Sequence, residues 1–403
     1  VPLLVTGRLG DKYGPKNVYV AGMVIFTVSS LACGLAPDMF TLIIARGVQG
    51  LGAALLTPQT MATINRIFAF ERRGAALGVR GSTAGLASLA GPILGGVITE
   101  NWGWQWVFYI NVPIGVISVI AVMKYVPEFP PLTRPLDPLS IVLSIVAVFF
   151  LVFAFQEGEG AGWAAWVWIM IVAAFALFAW FIYQQSRAEK SGNDPLVPLE
   201  IFKFRNFSLG NICIMAMGFT VAGTPLPIML YFQQAHEMNA MEAGFMMVPQ
   251  ALMAAVLSPF VGKLVDRSNP GLMAALGFST VAVSIVLLSM VMIFDTGLVW
   301  ALVSMTLLGI GNAFVWAPNS TSTMRDLPHK FMGAGSGVFN TTRQLGSVIG
   351  AAAIGAVMQI RLAAGDEGAA FGQALLLAAA VLVIGIVAST MAGKNAHPAP
   401  VKP

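Results

Sequence analysis

The decapeptide GRLGDKYGPK, residues 7–16, lies between two apolar stretches, and a degenerate copy, GKLVDRSNPG, returns at residues 262–271. Both copies place a glycine, a basic residue, a leucine and an aspartate in one short polar segment. Such a repeat at corresponding places of a chain is typical of duplicated membrane proteins, in which it joins equivalent helices of the two halves. The repeat therefore predicts two related halves, each with a short polar turn at this point.

The composition of the chain places it in a membrane. Of its 403 residues, 57% are hydrophobic and 10% are charged, and the mean hydropathy is +0.80. Such a chain has too little polar surface to cover a globular exterior in water. A membrane-spanning helix needs roughly 20 largely apolar residues. Twelve stretches are predicted to span, at residues 17–36, 39–64, 74–99, 107–124, 138–156, 163–183, 207–234, 243–264, 271–294, 298–323, 333–360 and 371–392.

The basic residues lie on one side of this layout. If residues 7–16 are cytoplasmic, 18 of the 22 Lys and Arg fall in cytoplasmic segments and none falls in an opposite loop. The other four lie within spans or at their ends, namely Arg46, Arg80, Arg343 and Arg361. This asymmetry follows the positive-inside rule and predicts a multi-pass membrane protein with a cytoplasmic C-terminus. The net charge of +4 is then a consequence of topology, and we expect no nucleic-acid partner.

Cysteine and histidine usage gives no support to an enzyme, a metal site or a cofactor site. The two cysteines, Cys33 and Cys213, lie in separate predicted spans without the spacing of metal ligands. The three histidines lie in loops or in the C-terminal tail, so no base and nucleophile are predicted to share a site. We therefore expect a protein that is not an enzyme and carries no cofactor or metal.

The internal duplication extends beyond the decapeptide. Residues 74–96 align without gaps to residues 333–355 with nine identities, and the displacement is nearly that of the decapeptides. Eight predicted spans separate the two decapeptides, two more than a duplicated six-helix unit would place there. We take residues 138–156 and 163–183 as the inserted pair. The predicted domains are a first half bundle at 1–124, the inserted helices with a cytoplasmic linker at 125–206, a second half bundle at 207–392 and a cytoplasmic tail at 393–403.

Four sequence blocks together resemble one family. They are GRLGDKYGPK at residues 7–16, ARGVQGLGAAL at 45–55, GPILGG at 91–96 followed by WGWQWVFYINVPIG at 102–115, and FNTTRQLG at 339–346. The chain resembles the major facilitator superfamily, and within it the fourteen-helix drug:proton antiporter branch, over essentially its full length. The resemblance implies an all-α integral membrane protein with two pseudo-symmetric six-helix bundles and two inserted helices. It also implies that the first helix and most of the second precede Val1, so that residues 1–6 end a further span.

The first decapeptide is the predicted gate. Gly7, Gly10 and Gly14 remove side chains where helix ends approach, and Asp11 can pair with a cation of the same face, with Arg66 or Arg73 the candidates by topology. The resemblance implies that this segment latches an outward-facing state, with Asp266 and Arg267 as the weaker counterpart in the second half. The alternative is a positively charged loop in which the aspartate is merely neutralised.

Two arginines within spans are the predicted coupling and cavity residues. Arg46 lies about 10 Å from the outer end of its span at 1.5 Å per residue, and Arg343 lies about 15 Å into its own. A buried guanidinium is costly in hydrocarbon, so both should face the central cavity. Gln49 continues the polar face of Arg46, while Asn340 and Gln344 flank Arg343. The resemblance implies a role of Arg46 in proton coupling; snorkelling to the interface is the alternative for Arg46, and a structural hydrogen-bond network for Arg343.

The GPILGG block is a predicted bending and sealing device. Pro92 removes one backbone hydrogen bond and should kink its helix, while Gly91, Gly95 and Gly96 should let the helix press against the other half. The resemblance makes this block a mark of antiporters, which favours export. Glycines are equally common in any helix interface, so a purely structural role is the alternative.

These expectations describe an exporter of lipophilic, drug-like compounds that exchanges them for protons by alternating access and acts as a monomer among membrane lipids. Large apolar side chains of the second half are expected to line its cavity, namely Met215, Met217, Phe219, Met229, Tyr231, Phe232 and Trp316. No acidic residue falls well inside a predicted span, so the proton-carrying carboxylate is expected in the upstream first helix. The alternatives are a proton- or sodium-coupled nutrient permease and, from another class, a membrane receptor or scaffold that transports nothing.

Overall fold

A computed structural model describes residues 2–68, 72–129, 137–158, 160–191, 194–365 and 367–392, and every regular element in these ranges is helical. The α-helices are α1 (Leu3–Tyr13), α2 (Pro15–Gly34), α3 (Met39–Ile67), α4 (Arg73–Trp102), α5 (Trp106–Tyr109), α6 (Asn111–Tyr125), α7 (Pro138–Glu157), α8 (Ala165–Lys190), α9 (Arg205–Gly223), α10 (Pro225–Leu230), α11 (Ala240–Met246), α12 (Val248–Val265), α13 (Pro270–Phe294), α14 (Leu298–Met324), α15 (Met332–Ala363) and α16 (Glu367–Met391). The predicted tail at 393–403 lies outside the described residues.

The predicted membrane spans correspond to these helices. Within the described part of the chain, 11 helical segments are long and apolar enough to cross a membrane. The remaining predicted span, 74–99, coincides with α4, which has 30 residues and so exceeds the roughly 20 needed. The prediction of an all-α integral membrane protein is therefore confirmed.

Short polar side chains fix where several of these helices begin. The Asp38 carboxylate accepts a 2.7 Å hydrogen bond from the backbone N–H of Thr41, the third residue of α3. This bond holds the pKa of the Asp38 carboxyl below its ordinary value. Asp137 caps α7 and Asn269 caps α13 in the same way. Each cap satisfies amide groups that have no partner within the helix.

The prediction of a polar turn over residues 7–16 is wrong, because the turn itself is much shorter. Helix α1 continues through Tyr13, and Gly14 alone separates it from Pro15 at the start of α2. Gly14 has φ +85°, a backbone conformation that glycine adopts without steric cost, and Pro15 suits the first position of a helix. The polar residues of α1 do not break the helix because most of them are buried against other elements.

The span predicted at 207–234 is also not one continuous helix. Helix α9 ends at Gly223, α10 follows after Thr224, and a single π-helical turn covers Tyr231–Ala235. Two prolines, Pro225 and Pro227, cannot donate backbone hydrogen bonds and so interrupt the ladder here. Several side chains expected to line a cavity lie instead in the core of the second half, because Met217, Tyr231 and Phe232 are almost fully buried among apolar neighbours.

The helices pack as two groups that meet along α1, α3, α4, α12, α14 and α15. In the second half, α13 packs against α14 and α16, and α9 packs against α15 and α16. In the first, α2 packs against α3 and α6. Contacts of α1 with α15 and of α4 with α12 join the two groups. The pair α7 and α8 pack together, and α7 also touches α15 and α1.

Candidate functional site

The two groups of helices are in close contact at the end of the molecule that carries Arg8 and Arg66, which we call the basic end. There α1 crosses α15 with backbone against backbone. A Cβ atom placed on Gly7 would lie 2.5 Å from the carbonyl oxygen of Gly333 and 3.0 Å from the Cα of Gly337. Only glycine allows this approach, because helix axes come close only where side chains are absent.

A second crossing, of α4 with α12, repeats this arrangement in the other direction. A Cβ on Gly74 would lie 2.5 Å from the carbonyl oxygen of Gly262, and one on Gly78 would lie 2.5 Å from that of Ser258. Further along α4, the Ser82 hydroxyl donates a 2.6 Å hydrogen bond to the carbonyl of Ala255. Gly74 and Gly78 align with Gly333 and Gly337 in the internal repeat, so the two crossings are pseudo-symmetric.

Asp11 lies inside the first crossing. Its carboxylate is 1% exposed and accepts a 2.8 Å hydrogen bond from Nη2 of Arg66. A Cβ on Gly333 would collide with the same carboxylate, so Asp11 lies against the first turn of α15. A negative charge is favourable there, because the N-terminus of a helix carries a partial positive charge. The expected ion pair of Asp11 with Arg66 is therefore present.

Asp266 takes the equivalent position in the second crossing. Its carboxylate accepts hydrogen bonds of 2.7 Å and 3.0 Å from the backbone N–H groups of Gly74 and Ala75, at the start of α4. Arg267 is exposed and forms no ion pair with the described residues. Of the two residues expected to match the first decapeptide, Asp266 therefore makes the contact, and its partners are backbone N–H groups. Each decapeptide aspartate therefore contacts the first turn of a helix in the opposite half. We call the two contacts the reciprocal clasps.

Arg8 extends the first clasp to the linker. Its guanidinium is 2% exposed and donates a 2.8 Å hydrogen bond to the carbonyl oxygen of Pro195. Nη1 of Arg8 also lies 3.9 Å from the Asp11 carboxylate. The segment that follows α8 is thus fixed to the same helix that carries the clasp.

We predict that Asp266→Ala loosens the start of α4 and weakens the second crossing. The substitution removes both acceptors for the amides of Gly74 and Ala75, and loss of a helix cap costs about 0.5–2 kcal/mol. Faster hydrogen exchange at these two amides, measured by mass spectrometry, should accompany the loss. Asp295→Ala, which removes an exposed carboxylate outside both clasps, is the control. Unchanged hydrogen exchange in Asp266→Ala would contradict a clasp at α4.

The arrangement at Arg46 differs from the expectation. Arg46 and Gln49 do lie together, since Nη1 of Arg46 donates a 2.9 Å hydrogen bond to Oε1 of Gln49. The guanidinium also lies 5.6 Å from the centroid of the Phe108 ring. The Arg46 side chain is exposed, however, and is not enclosed between the two halves. The rise per residue gives its depth but not its direction around the helix axis.

Arg343 on α15 is partly buried, as is Arg80 on α4. Nε of Arg343 is buried and forms no hydrogen bond with the described residues. Asn340, one turn below Arg343, donates instead to the carbonyl of Ser336. Gln344 points away into an exposed cleft of about 370 Å³, which it lines with residues of α7 and α15. Arg343, Asn340 and Gln344 therefore do not form one polar patch, as the sequence predicted, because each has different neighbours.

The GPILGG block does not press against the other half in this conformation. Cβ atoms placed on Gly91, Gly95 or Gly96 would meet nothing within 4 Å. Helix α4 passes through Pro92 without ending, and the side chain of Pro92 lies outside the described residues. Helix α4 here packs against α12 through the earlier glycines Gly74 and Gly78 instead.

The described residues contain no group of His, Cys, Asp and Glu that could hold a metal ion. The site is therefore one of helix contacts, ion pairs and guanidinium groups. Sequence reasoning missed the backbone amides of Gly74 and Ala75 as partners of Asp266. The repeat could have indicated this contact, because it aligns Gly74 with Gly333 at the starts of equivalent helices.

Comparison with known proteins places this geometry among transporters. Residues 3–158 and 139–351 match the sequence profile of the Major Facilitator Superfamily. The chain is 41% identical over 417 residues to the uncharacterized MFS-type transporter Rv1250 of Mycobacterium tuberculosis, covering 96% of this chain and 71% of that protein. It is 31% identical to the multidrug resistance protein Stp of the same species, covering 90% of this chain and 67% of that protein.

A third relative and two solved structures agree. The lincomycin resistance protein LmrB of Listeria monocytogenes is 32% identical, with 82% of this chain and 69% of that protein covered. The human organic anion transporter MFSD10 superposes with a TM-score of 0.69 at 13% identity, covering 94% of this chain and 80% of that one. The proton:xylose symporter XylE superposes with a TM-score of 0.62 at 13% identity, covering 94% of this chain and 82% of that one. At such identities the two structures establish the fold alone.

Proposed function

Since the chain belongs to the Major Facilitator Superfamily, we propose that it is part of a secondary active transporter that exports lipophilic, drug-like compounds in exchange for protons. The proposal places it in the fourteen-helix branch of that superfamily. The relatives support export, because two of them are named for resistance to drugs. The GPILGG block supports it further by its resemblance to antiporters.

The observation that carries the proposal is the pair of reciprocal clasps. Alternating access needs an interface that can close and open as a unit, with contacts that are lost together. The clasps supply such contacts at one end of the molecule, since glycine crossings hold the backbones in register and aspartates hold the helix starts. None of these contacts is covalent or purely apolar, so rocking of one half against the other can exchange them for water.

The same contacts suggest how the cycle is arranged. We take the basic end as cytoplasmic, in the inner membrane of a bacterium, with the C-terminus on the same side. A closed basic end then corresponds to a state that faces outward. In this scheme the halves are 1–124 and 207–392, the insertion and linker are 125–206, the tail is 393–403, and the transporter works as a monomer. Fixing of the linker by Arg8 supports a shared movement of α1 and the insertion.

The exchange for protons follows from the family resemblance. Arg46 and Gln49 form a polar pair that could bias a nearby carboxylate towards ionisation, since an opposite charge within about 4–6 Å lowers a carboxyl pKa. We expect that carboxylate in the first helix of the parent protein. The transmembrane potential contributes about 2.3 kcal/mol per charge at 100 mV.

We predict that the full-length parent protein, reconstituted in vesicles, expels ethidium against its gradient when a pH gradient is imposed. For one proton exchanged, one pH unit supports about tenfold accumulation. The direction of substrate movement should oppose that of the proton, and the protonophore CCCP should abolish it. Vesicles with the pH gradient reversed are the control. Movement of substrate together with the proton would favour a nutrient permease, and no movement of any probe would favour a receptor or scaffold.

A further inference from the structure

A small cavity lies within the second half, at the break between α9 and α10. Its volume is about 30 Å³, which is room for one or two water-sized groups. Its polar lining consists of Thr220 of α9, Thr224 just after α9, Gln250 of α12 and Asn312 of α14. None of the described residues that line it is charged. The cavity therefore presents neutral polar groups among apolar ones.

The amide oxygen of Asn312 is buried here without a partner. Asn312 is 7% exposed, and its Oδ1 forms no hydrogen bond with the described residues. Asn312 lies one turn after Gly309, where α14 crosses α12 so closely that a Cβ on Gly309 would collide with the Gln250 carbonyl. The side chain is therefore held between two tightly packed helices. Because an unpaired buried acceptor is costly, this oxygen favours a donor or a cation within the cavity.

The two threonines also present acceptors to the cavity. The Thr220 hydroxyl donates a 3.0 Å hydrogen bond to the carbonyl of Ala216, and the Thr224 hydroxyl donates a 2.9 Å hydrogen bond to the carbonyl of Thr220. A hydroxyl has only one hydrogen, so each oxygen has only lone pairs left for a further partner. Together with the amide oxygens of Gln250 and Asn312, these hydroxyls bring acceptors from three parts of the bundle to one place.

The break between α9 and α10 adds a backbone carbonyl and a negative helix end. Pro225 has no N–H, so the carbonyl of Val221, a residue that lines the cavity, lacks its helical donor. The C-terminal end of α9 also carries a partial negative charge. Unwound carbonyls and helix C-termini of this kind coordinate sodium ions in secondary transporters with broken helices. The lining and the helix end therefore both favour a cation.

The acceptors of α9 and α14 lie at the same depth. Asn206 at the start of α9 donates a 2.6 Å hydrogen bond to Asp326, just after the end of α14. Thr220 follows Asn206 by fourteen residues, and Asn312 precedes Asp326 by fourteen. At the rise of a helix, both side chains lie roughly 21 Å from that hydrogen bond. The cavity is therefore well inside the membrane-spanning part of the bundle, where ion sites of secondary transporters lie.

We propose that this cavity binds one sodium ion. Its ligands are five neutral oxygens, those of the Thr220 and Thr224 hydroxyls, the Val221 carbonyl and the side-chain amides of Gln250 and Asn312. A monovalent ion fits better than a divalent one, because a double charge in a buried cavity requires carboxylates to offset its desolvation. The set contains no His, Cys or carboxylate, so the residue types that mark most metal sites in a sequence do not indicate it.

The position of the ligands gives the ion a structural role. All of them belong to the second half, so the ion joins α9, α12 and α14 across the helix break. Rocking of one half against the other leaves this ligand set intact. The ion therefore keeps the second half rigid as it moves. The inference goes beyond the proposed export function and does not depend on which substrate is carried.

The test measures binding of radiolabelled sodium to the full-length parent protein in phosphatidylcholine nanodiscs, and its Tm in sodium chloride and in choline chloride of equal concentration. We expect saturable sodium binding and a Tm that rises with sodium chloride relative to choline chloride, because an ion that binds only the folded state stabilises it. Choline controls for ionic strength, since it is too large for the cavity and has no N–H group.

Substitutions in the cavity locate the ion. Asn312→Leu and Thr220→Val keep the approximate shape of the side chain, and each removes one oxygen. Each should weaken sodium binding by about tenfold or more, because a charged group loses one of its polar partners. Asn312→Asp and Thr220→Ser keep the oxygen and should retain binding. Asn211→Leu is the matched control and should bind sodium as the wild type does, because Asn211 is another buried asparagine of α9 with an unpaired Oδ1 but does not line the cavity.

The outcomes decide between the possible occupants. Absence of any sodium effect would leave the cavity to water and overturn the inference, as would wild-type sodium binding in both Asn312→Leu and Thr220→Val. If one of these variants fails to fold, the other decides. A rise of the Tm with methylammonium chloride but not with sodium chloride would identify the amine head of a cargo molecule and overturn the assignment to a metal. Substrate movement driven by a sodium gradient alone would contradict the structural role and favour a sodium-coupled permease.

Discussion

Gly7→Val is expected to reduce transport by about 10- to 100-fold while leaving insertion intact. The added side chain would meet the backbone of Gly333 and Gly337, which cannot rotate away as a side chain could. Overpacking of this kind costs about 1–3 kcal/mol, and each 1.4 kcal/mol is a factor of ten in a population. The closed basic end would then be depopulated. The measurement is substrate counterflow in vesicles at equal protein content.

Gly47→Val is the matched control for this substitution. Gly47 also lies within a helix, but a Cβ at this position would meet nothing within 4 Å. Both variants carry the same cost in helix propensity, so a difference between them reports the crossing of α1 with α15. Equal transport rates in Gly7→Val and the wild type would show that the crossing does not need to close.

Asp11→Asn is expected to have the second large effect. The substitution keeps the shape of the side chain but removes the charge that Arg66 contacts at 2.8 Å and that lies at the first turn of α15. Removing one partner of a buried ion pair typically costs 3–5 kcal/mol, and partial exposure of Arg66 reduces this figure. We expect the transport rate to fall by up to about 100-fold and the Tm of the protein to be lower.

A double-mutant cycle separates the ion pair from the contact with α15. If Arg66→Gln in the Asp11→Asn background adds little to the loss, the two residues act as one unit. Asp38→Asn is the control, because Asn caps a helix as well as Asp does and Asp38 lies outside the clasp. Full transport in Asp11→Asn would leave the clasp without a function.

The membrane spans could be predicted closely because their signal is local. Each predicted span is a run of apolar residues of the required length, and no other part of the chain affects that count. The polar segment at 7–16 could not be predicted in the same way. Arg8 and Asp11 look like loop residues in the sequence, yet they lie in a helix because their partners Pro195 and Arg66 are distant in the chain.

The candidate site was predictable in its residues and less so in its contacts. The repeat singled out Asp11 and Asp266, and the depth of Arg343 singled out a buried cation. Neither showed that each of the two aspartates contacts a helix of the opposite half. Direction around a helix axis depends on which helices are neighbours, and the sequence of one chain does not specify this.

The most direct test of the account is the distance between the halves at the basic end. Spin labels at Tyr13→Cys, at the end of α1, and Lys330→Cys, just before α15, can be placed on exposed positions of the full-length protein after replacement of Cys33 and Cys213. Pulsed electron paramagnetic resonance should find a short distance for the closed clasps and a second, longer one whose population grows in Asp11→Asn. A single short distance in both proteins during active transport would contradict alternating closure of the basic end.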